Sequence, residues 1–236
     1  MRISPWPGEN ELALISPEAR ATVINSALID ASEREAAALG YRGILWQATS
    51  EFAVLLLEAH RYHERDRLAV LIHHRPRAWR TMVDHRTPSV GIHLRRGHAM
   101  DLPEVLVVDS LSFEPFWQLD SVGIDEAILA TPRARYRVAL DTRAHDQEPR
   151  VVGYAIMGQG AGAGFLQRLA VHPEARGLGI GSLLVADGFR WLTRWGCRSV
   201  SVNTQETNER ALRLYEHLGF LRQQRGIVLF ESPPLR

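Results

Sequence analysis

Residues 164–182 read GFLQRLAVHPEARGLGIGS, and this stretch decides the fold. Its apolar half, Phe165–Val171, predicts a strand that ends in a turn at Pro173. The glycine-rich half then opens a helix that we expect to run from about Leu178 to Trp195. Glycines let a backbone approach a ligand closely, and the first turn of a helix presents free N–H groups at the positive end of its dipole. The stretch therefore predicts a strand–turn–helix unit that binds phosphate groups, with Arg176 adding a charged contact.

A second informative segment lies nearer the C-terminus, where Asn208 is followed seven residues later by Tyr215 and then by Gly219 and Phe220. Seven residues along a helix bring two side chains back to one face, about two turns apart. A tyrosine hydroxyl in that position can donate a proton to a leaving group. The glycine turn upstream is not the dinucleotide fingerprint, because that motif is GxGxxG directly after the first strand of a βαβ unit.

The rest of the chain alternates helical and strand-like patterns, which indicates a mixed α/β fold. Helices are expected at Ser16–Gly40, Glu51–His60, Asp101–Asp109, Leu178–Trp195 and Asn208–Leu218, and another is expected to begin at Asp120 or Ser121 and to end near Ala130. Strands are expected at Gly43–Ala48, Leu68–Ile72, Val90–Arg95, Tyr136–Leu140, Val151–Met157, Phe165–Val171, Ser199–Asn203 and Gly226–Phe230.

Three motifs together resemble the GNAT superfamily of acetyl-CoA-dependent N-acetyltransferases. They are the strand end Leu169–Pro173, the turn Arg176–Gly181 and the helix Asn208–Phe220, in the order and spacing of that family. The pattern is most similar to that of the ribosomal-protein N-terminal acetyltransferases. The resemblance covers about residues 89–230 and implies a GNAT fold with a mixed sheet.

This resemblance also implies a reaction and a set of binding residues. Acetyl-CoA is the expected cosubstrate, with no metal, and the acceptor amine attacks its thioester directly, without a covalent enzyme intermediate. Tyr215 is the expected acid for the departing CoA thiolate. The backbone of Leu169, Ala170 and Val171 is expected to pair with the pantetheine arm. The phosphate-binding turn and the asparagine that holds the pantetheine or sulfur region correspond to Arg176, Gly177, Leu178, Gly179, Ile180, Gly181, Ser182 and Asn208.

Acceptor recognition in the family implies a role for the loop between the first two helices, here Phe113–Asp120. Phe116 and Trp117 are candidates for lining an acceptor pocket, and Asn203 is a third candidate substrate residue, although ordinary core packing explains Trp117 equally well. The expected acceptor is a protein or peptide N-terminus. A small-molecule amine and a non-catalytic acyl-CoA-binding module are the alternatives.

The general base is the missing element of the pattern. Related N-terminal acetyltransferases commonly carry a glutamate where this sequence has Asn203, and an amide cannot take up a proton at neutral pH. Glu206 lies nearby along the chain, and Gln167 and Arg168 lie on the strand expected to meet the cofactor, but none is a clear substitute. Two alternatives remain. An ordered water takes up the proton of the amine, or the amine arrives already neutral and needs no base before it attacks.

Composition excludes several other classes of protein. All 28 basic side chains are arginine, so mechanisms that need a lysine amine, such as Schiff-base chemistry or a Walker-type phosphate site, are excluded. A net charge of +1 gives no general attraction to nucleic acid. The single cysteine, Cys197, fits a reducing cytoplasm, and the longest apolar run, Phe52–Leu57, is too short to span a membrane. The histidines of residues 60–74 lack the spacing of a metal site.

The N-terminal third has a related but incomplete pattern. Residues 1–85 show helix, glycine, strand, helix and strand in the same order as the C-terminal part, which is compatible with a vestigial half-repeat. This region lacks the Gly-x-Gly turn and has no tyrosine at the position that would correspond to Tyr215, so we expect no CoA binding there. We predict a smaller α/β region over 1–85, a basic linker to about residue 88, and a GNAT domain over 89–236.

Overall fold

The computed structural model describes residues 2–16, 24–74, 91–143 and 148–235. The chain forms two compact units. Unit 1 comprises Met1–Val70, Thr204–Asn208 and Gln223–Arg236, and unit 2 comprises Leu71–Asn203 and Glu209–Arg222. The expected linker lies outside the described residues, so the boundary between residues 85 and 89 stays a prediction.

The described residues contain both helices and strands, in the following order within each class. The strands are β1 (Arg2–Trp6), β2 (Glu9–Ser16), β3 (Gly43–Ala48), β4 (His63–His73), β5 (Ile92–Arg96), β6 (Arg133–Asp141), β7 (Arg150–Gly160), β8 (Ala163–Val171), β9 (Val200–Gln205), β10 (Leu221–Arg222) and β11 (Ile227–Glu231). The α-helices are α1 (Ser26–Ala38), α2 (Glu51–Ala59), α3 (Leu102–Ser112), α4 (Ser121–Leu129), α5 (Ile180–Arg194) and α6 (Glu209–His217). The mixed α/β class expected from the sequence is confirmed.

Unit 1 is built on strands in the order β1-β2-β3-β11-β4. The β2–β3 pair is parallel, and the other neighbouring pairs are antiparallel. Helices α1 and α2 contribute Ile29 and Leu57 to a core that also contains Ile44, Trp46 and Phe230. The C-terminal strand β11 therefore lies between β3 and β4, inside the sheet of the N-terminal unit.

The start of the first helix was wrong in the sequence analysis. Ser16 is the last residue of β2, and Asn25 caps α1 by accepting a hydrogen bond from the Leu28 amide at 2.9 Å. An asparagine in extended conformation is as good a cap as a serine, so the two positions could not be separated by residue type alone. The expected stop at Gly40 is confirmed, because the helix ends at Ala38 and Gly40 has a φ of +85°.

Unit 2 contains a second run of strands, in the order β9-β8-β7-β6-β5. The β8–β9 pair is parallel and the others are antiparallel. Helices α3 and α4 cover one face through a core that includes Val105, Ile124, Val138, Tyr154 and Ile156. This face carries the segment between α3 and α4 that the sequence analysis associates with the acceptor.

Helix α5 packs on the opposite face of the same strands. Met157 follows Ile156 on β7 and so points to the other side, where it lies against Gly188 of α5. Leu192, one turn further along α5, lies against Gly164 at the start of β8. Because both glycines leave room for a larger neighbour, α5 approaches the sheet closely and its N-terminus is fixed next to the end of β8.

Candidate active site

The second half of β8 is not paired with β9 among the described residues of unit 2. Parallel pairing joins Gly164 to Val200 and Phe165 to Ser201, and among the described residues the pairing of β8 beyond that point is with β7. The residues expected to meet the pantetheine arm, Leu169–Val171, lie beyond Phe165. There, the edge of β8 that faces away from β7 has no paired strand among the described residues. A strand with one free edge can pair with an extended ligand.

A bulge precedes that stretch. Ile156 lies opposite Arg168 while Met157 lies opposite Leu166, so Gln167 is the extra residue on β8. Bulges redirect side chains and end regular pairing. The side chain of Gln167 packs where a Cβ on Gly158 would lie, and its Oε1 is buried with no hydrogen-bond partner among the described residues.

The phosphate-binding turn has the backbone conformation that glycine favours. Gly177 and Gly179 have φ angles of +78° and +74°, and Gly179 caps α5 while its carbonyl accepts from the Leu183 amide at 3.0 Å. No described atom lies within 4 Å of the position a Cβ would take on either glycine. The amides of Ile180, Gly181 and the following residue, Ser182, belong to the first turn of α5 and lack an intrahelical acceptor. This end of α5 has the free amides and the open space that an anion site needs, and phosphate binding here stays a prediction.

Arg176 is half-buried directly before this turn. Its Nε lies 3.4 Å from the carbonyl oxygen of Val171, which also accepts from the Ser112 hydroxyl at 3.2 Å. Burial lowers the pKa of Arg176, and the positive charge of Arg210 lowers it further. Arg210, missed in the sequence analysis, lies in the first turn of α6, where the helix dipole disfavours a cation. A phosphate bound near the two guanidinium groups would offset the repulsion between their charges.

Tyr215, the expected acid, is buried, with 5% of its surface exposed. Burial raises its pKa, and the charge of Arg168 acts in the other direction. A tyrosine with a raised pKa stays protonated at neutral pH, which is the state a proton donor needs. Asn208 lies one residue before α6, in a segment that belongs to unit 1. Its backbone N–H donates to the Gln205 carbonyl at 3.0 Å. Asn203 is exposed on β9.

The loop between α3 and α4 presents its two aromatic side chains together. Phe116 and Trp117 form a short 3-10 turn with Pro115, and their rings meet edge to face with centroids 5.2 Å apart. Both residues are half-buried. Gln118 holds the turn by donating its side-chain amide to the carbonyls of Ser110 and Phe113, each at 3.1 Å. The role of Phe116 and Trp117 in acceptor binding stays a prediction.

Arg168 is unsuited to the role of base that the sequence analysis weighed for it. Its guanidinium donates to both carboxylate oxygens of Asp109, at 2.8 and 2.7 Å, and an arginine stays protonated in proteins. Asp109 was missed in the sequence analysis. The signal was present, because Asp109 follows Val105 and Val108 on the face of α3 that points into the core.

Cys197 does not suit the role of acyl carrier. The side chain is buried, and burial raises the pKa of its thiol, so the thiolate that would attack a thioester is disfavoured. Among the described residues, three or more histidine, cysteine or acidic side chains do not gather in a group that could hold a metal. In the same part of the chain, helices long and apolar enough to cross a membrane are absent. The cytoplasmic location stays a prediction.

Comparison with known protein families identifies the family of this chain. The model of the acetyltransferase (GNAT) family matches residues 103–220, half of the chain. The chain belongs to the GNAT acetyltransferase family. This is a family of acetyltransferases, and acetyl-CoA is the acyl donor typical of it.

Two curated relatives match shorter parts of this GNAT protein. Mycothiol acetyltransferase from Thermomonospora curvata is 42% identical over 66 residues, which are 28% of this chain and 22% of the relative. N-alpha-acetyltransferase 30 from Xenopus laevis is 40% identical over 62 residues, which are 26% of this chain and 23% of the relative. Each match spans less than a quarter of the relative's length, so neither acceptor transfers directly.

Solved structures resemble the GNAT chain over nearly its whole length. A tandem GNAT protein from the clavulanic acid biosynthesis pathway has a TM-score of 0.68 at 15% identity and covers 96% of this chain and 76% of its own. A GCN5-related N-acetyltransferase from Sphaerobacter thermophilus has a TM-score of 0.62 at 19% identity and covers 99% and 76%. At these identities the likeness shows the fold alone. A tandem GNAT neighbour fits the additional N-terminal α/β region.

Proposed function

We propose that this protein transfers the acetyl group of acetyl-CoA to a primary amine that attacks the thioester directly. The main support for this proposal is that β8 and β9 are no longer paired beyond Phe165 and Ser201. It leaves an extended backbone edge that leads, within one unit, into the glycine-capped start of α5. An edge of this kind suits an amide-containing arm, and the helix start suits its phosphates.

The residues of the chain have separate tasks in this reaction. The acyl donor supplies the acetyl group as a thioester. The Gly177–Ser182 amides and Arg176 bind the phosphates and so fix the position of the thioester carbon. A bond forms between the amine nitrogen and that carbon while the carbon–sulfur bond breaks. Tyr215 donates a proton to the departing sulfur, and the nitrogen releases a proton to solvent, from which Tyr215 is reprotonated.

A peptide N-terminus is our first choice of acceptor. The Tyr-Glu-His-Leu-Gly-Phe segment at Tyr215–Phe220, which is similar to that of ribosomal-protein N-terminal acetyltransferases, supports this choice. The similarity to N-alpha-acetyltransferase 30 supports it too. A small-molecule amine is the second candidate, supported by the higher identity to mycothiol acetyltransferase.

An acceptor screen with acetyl-CoA tests both the reaction and the acceptor. Free thiol would be followed with peptides of varied N-terminal residues and with small amines, and mass spectrometry would identify the acetylated product. We expect thiol release that depends on the acceptor and one acetyl group on its amine. Longer acyl donors belong in the same screen. If CoA binds but neither panel is acetylated, the enzyme proposal fails and a non-catalytic acyl-CoA-binding role is favoured.

A further inference from the structure

Arg168 joins the candidate cofactor strand to the loop between α3 and α4. It directly precedes Leu169, the first residue expected to meet the pantetheine arm, and lies just after the bulge at Gln167. Its side chain does not face the parted edge of β8. It reaches toward α3 and the Phe113–Asp120 segment, which we call the acceptor loop.

The anchor of this contact is a buried ion pair. Asp109 is fully buried and the side chain of Arg168 is 11% exposed. Arg168 Nε lies 2.8 Å from Asp109 Oδ2, and Nη2 lies 2.7 Å from Oδ1. The hydroxyl of Tyr154 donates to the same carboxylate from β7. A paired arrangement with two parallel hydrogen bonds fixes the orientation of both side chains.

The acceptor loop is held by this pair at three points. At its start, the guanidinium carbon of Arg168 lies 3.5 Å from the ring centroid of Phe113. In its middle, Arg168 Nη2 donates to the carbonyl of Trp117 at 2.8 Å. Near its end, the amide of Leu119 donates to Asp109 Oδ1 at 2.8 Å. The backbone that carries Phe116 and Trp117 is therefore fixed by residues that lie outside the loop.

We propose that the Arg168–Asp109 pair is a positioning device that sets the affinity for the acceptor by ordering the acceptor loop. This inference rests on the proposed function, because an acceptor loop has a role only if the protein transfers an acetyl group to an acceptor. The pair contacts neither the phosphate-binding turn nor the start of α5 among the described contacts. We therefore expect its removal to change the KM of the acceptor more than that of acetyl-CoA. Because the charge of Arg168 also lowers the pKa of Tyr215, kcat is not the diagnostic quantity.

Arginine is specifically required for this task. The planar guanidinium binds a carboxylate with two nitrogens, donates to a carbonyl and stacks on a ring at the same time, whereas a lysine ammonium is a single point charge. Loss of one partner alone leaves a buried charge, which endangers folding, while removal of both charges is tolerated better. The double variant R168Q/D109N is therefore the primary test, and R168K is the second.

The kinetic experiment compares the Michaelis constants of the two substrates. In R168Q/D109N we expect the KM of the acceptor to rise about tenfold, the scale of one or two lost hydrogen bonds. The KM of acetyl-CoA should change by less than about twofold, and R168K should fall between the double variant and the wild type. R135Q is the matched control, because Arg135 also pairs with an aspartate by two nitrogens, at 2.7 and 3.0 Å, while Asp187 keeps Arg137 at 3.2 Å. A folded double variant with wild-type acceptor KM would overturn the inference.

Hydrogen exchange provides a readout that does not depend on activity. We expect the Leu119 amide and its neighbours in the acceptor loop to exchange at least about tenfold faster in R168Q/D109N than in the wild type, because a hydrogen-bonded amide becomes exposed. Unchanged exchange rates would overturn the inference even if no acceptor is found. A wild-type protein that shows no acetyl transfer, combined with faster loop exchange in the variant, would refute the proposed function but support the anchor.

Discussion

Tyr215 packs its ring against Phe220, with the ring centroids 5.6 Å apart and an angle of 57° between the planes. Between them the chain reverses at Gly219, which has a φ of +83°. The Phe220 amide donates to the Tyr215 carbonyl at 2.9 Å, and the Gly219 amide donates to the Glu216 carbonyl at 2.9 Å. This is the Schellman pattern of helix termination, with its usual apolar contact. The sequence Tyr-Glu-x-Leu-Gly-Phe thus both ends α6 and buries the tyrosine.

Replacement of Tyr215 by Phe tests the proposed acid. The phenyl ring can keep the contact with Phe220, so the fold should be retained, but the proton donor is lost. We expect kcat to fall by about 100- to 1,000-fold, the usual contribution of a positioned acid. The Kd for CoA, measured by calorimetry, should change by less than about threefold, because the change removes no phosphate contact.

Tyr62→Phe serves as the matched control for that variant. Tyr62 is also buried, and its hydroxyl donates to Glu33 at 2.9 Å in unit 1. Its loss should lower the free energy of unfolding by about 1 kcal/mol and leave kcat within about twofold. Equal turnover in wild type and Tyr215→Phe would remove Tyr215 from the mechanism.

The dependence of activity on pH follows from the raised pKa of Tyr215. A tyrosine ordinarily titrates near pH 10, and burial moves this group higher, so it stays protonated throughout the physiological range. We expect no falling limb of kcat from Tyr215 below about pH 10. Because only the neutral amine attacks, kcat/KM should rise with pH toward the pKa of the acceptor, about 8 for an α-amine and about 10 for an alkyl amine. A falling limb below about pH 9 that is absent from Tyr215→Phe would contradict this account.

The sequence was sufficient where local chemistry determines the structure. Gly43–Ala48 is a strand with both expected ends, because an apolar run between turn residues has few other solutions. Asp120 caps α4 through the Gly123 amide, as expected of an aspartate before an apolar periodic segment. The hairpin of β1 and β2 was missed, since Pro5 lies within β1 and proline argues against a strand unless the strand is at an edge.

The site was predictable only in part, because some of its contacts join distant positions. The glycine turn has local causes, since Gly177 and Gly179 have positive φ angles that favour glycine over other residues. Arg168 and Asp109 are separated by 59 residues and lie on different elements, so only the fold brings them together. The free edge of β8 depends on how far β9 pairs with it, and strand register is not specified by the residues of β8 alone.

The two arginines near the phosphate-binding turn lead to a prediction about ionic strength. We expect Arg176→Gln and Arg210→Gln each to weaken CoA binding about tenfold at low salt, as loss of a charge-assisted contact does. The deficit should shrink at high salt, because screening weakens the same contacts in the wild type. Calorimetry at about 0.05 and 0.5 M salt measures both effects.

A donor without phosphates separates this role from a general loss of structure. S-acetylpantetheine lacks the groups that the two arginines would bind, so both variants should use it as well as the wild type does. Arg190→Gln, on an exposed position of α5, is the control for removal of a positive charge. Equal losses with both donors would exclude a phosphate contact for Arg176 and Arg210.

Gly179→Leu tests the assignment of the phosphates to the start of α5. Within the protein the new side chain meets open space, but the φ of +74° is unfavourable for any residue with a Cβ. This strain should lower the free energy of unfolding by about 1–2 kcal/mol. The side chain would project from the turn where we place the phosphates, so CoA binding should weaken by at least about 100-fold in calorimetry.

Gly196→Leu isolates the strain from the steric effect. Gly196 lies at the other end of the same helix, has a φ of +68° and likewise has no described atom within 4 Å of its Cβ position. The two variants should therefore lose about the same 1–2 kcal/mol of stability, while only Gly179→Leu loses affinity for CoA. Full CoA binding by Gly179→Leu would place the phosphates elsewhere. Equal loss of binding in both variants would show that the effect comes from damage to α5 and not from a blocked site.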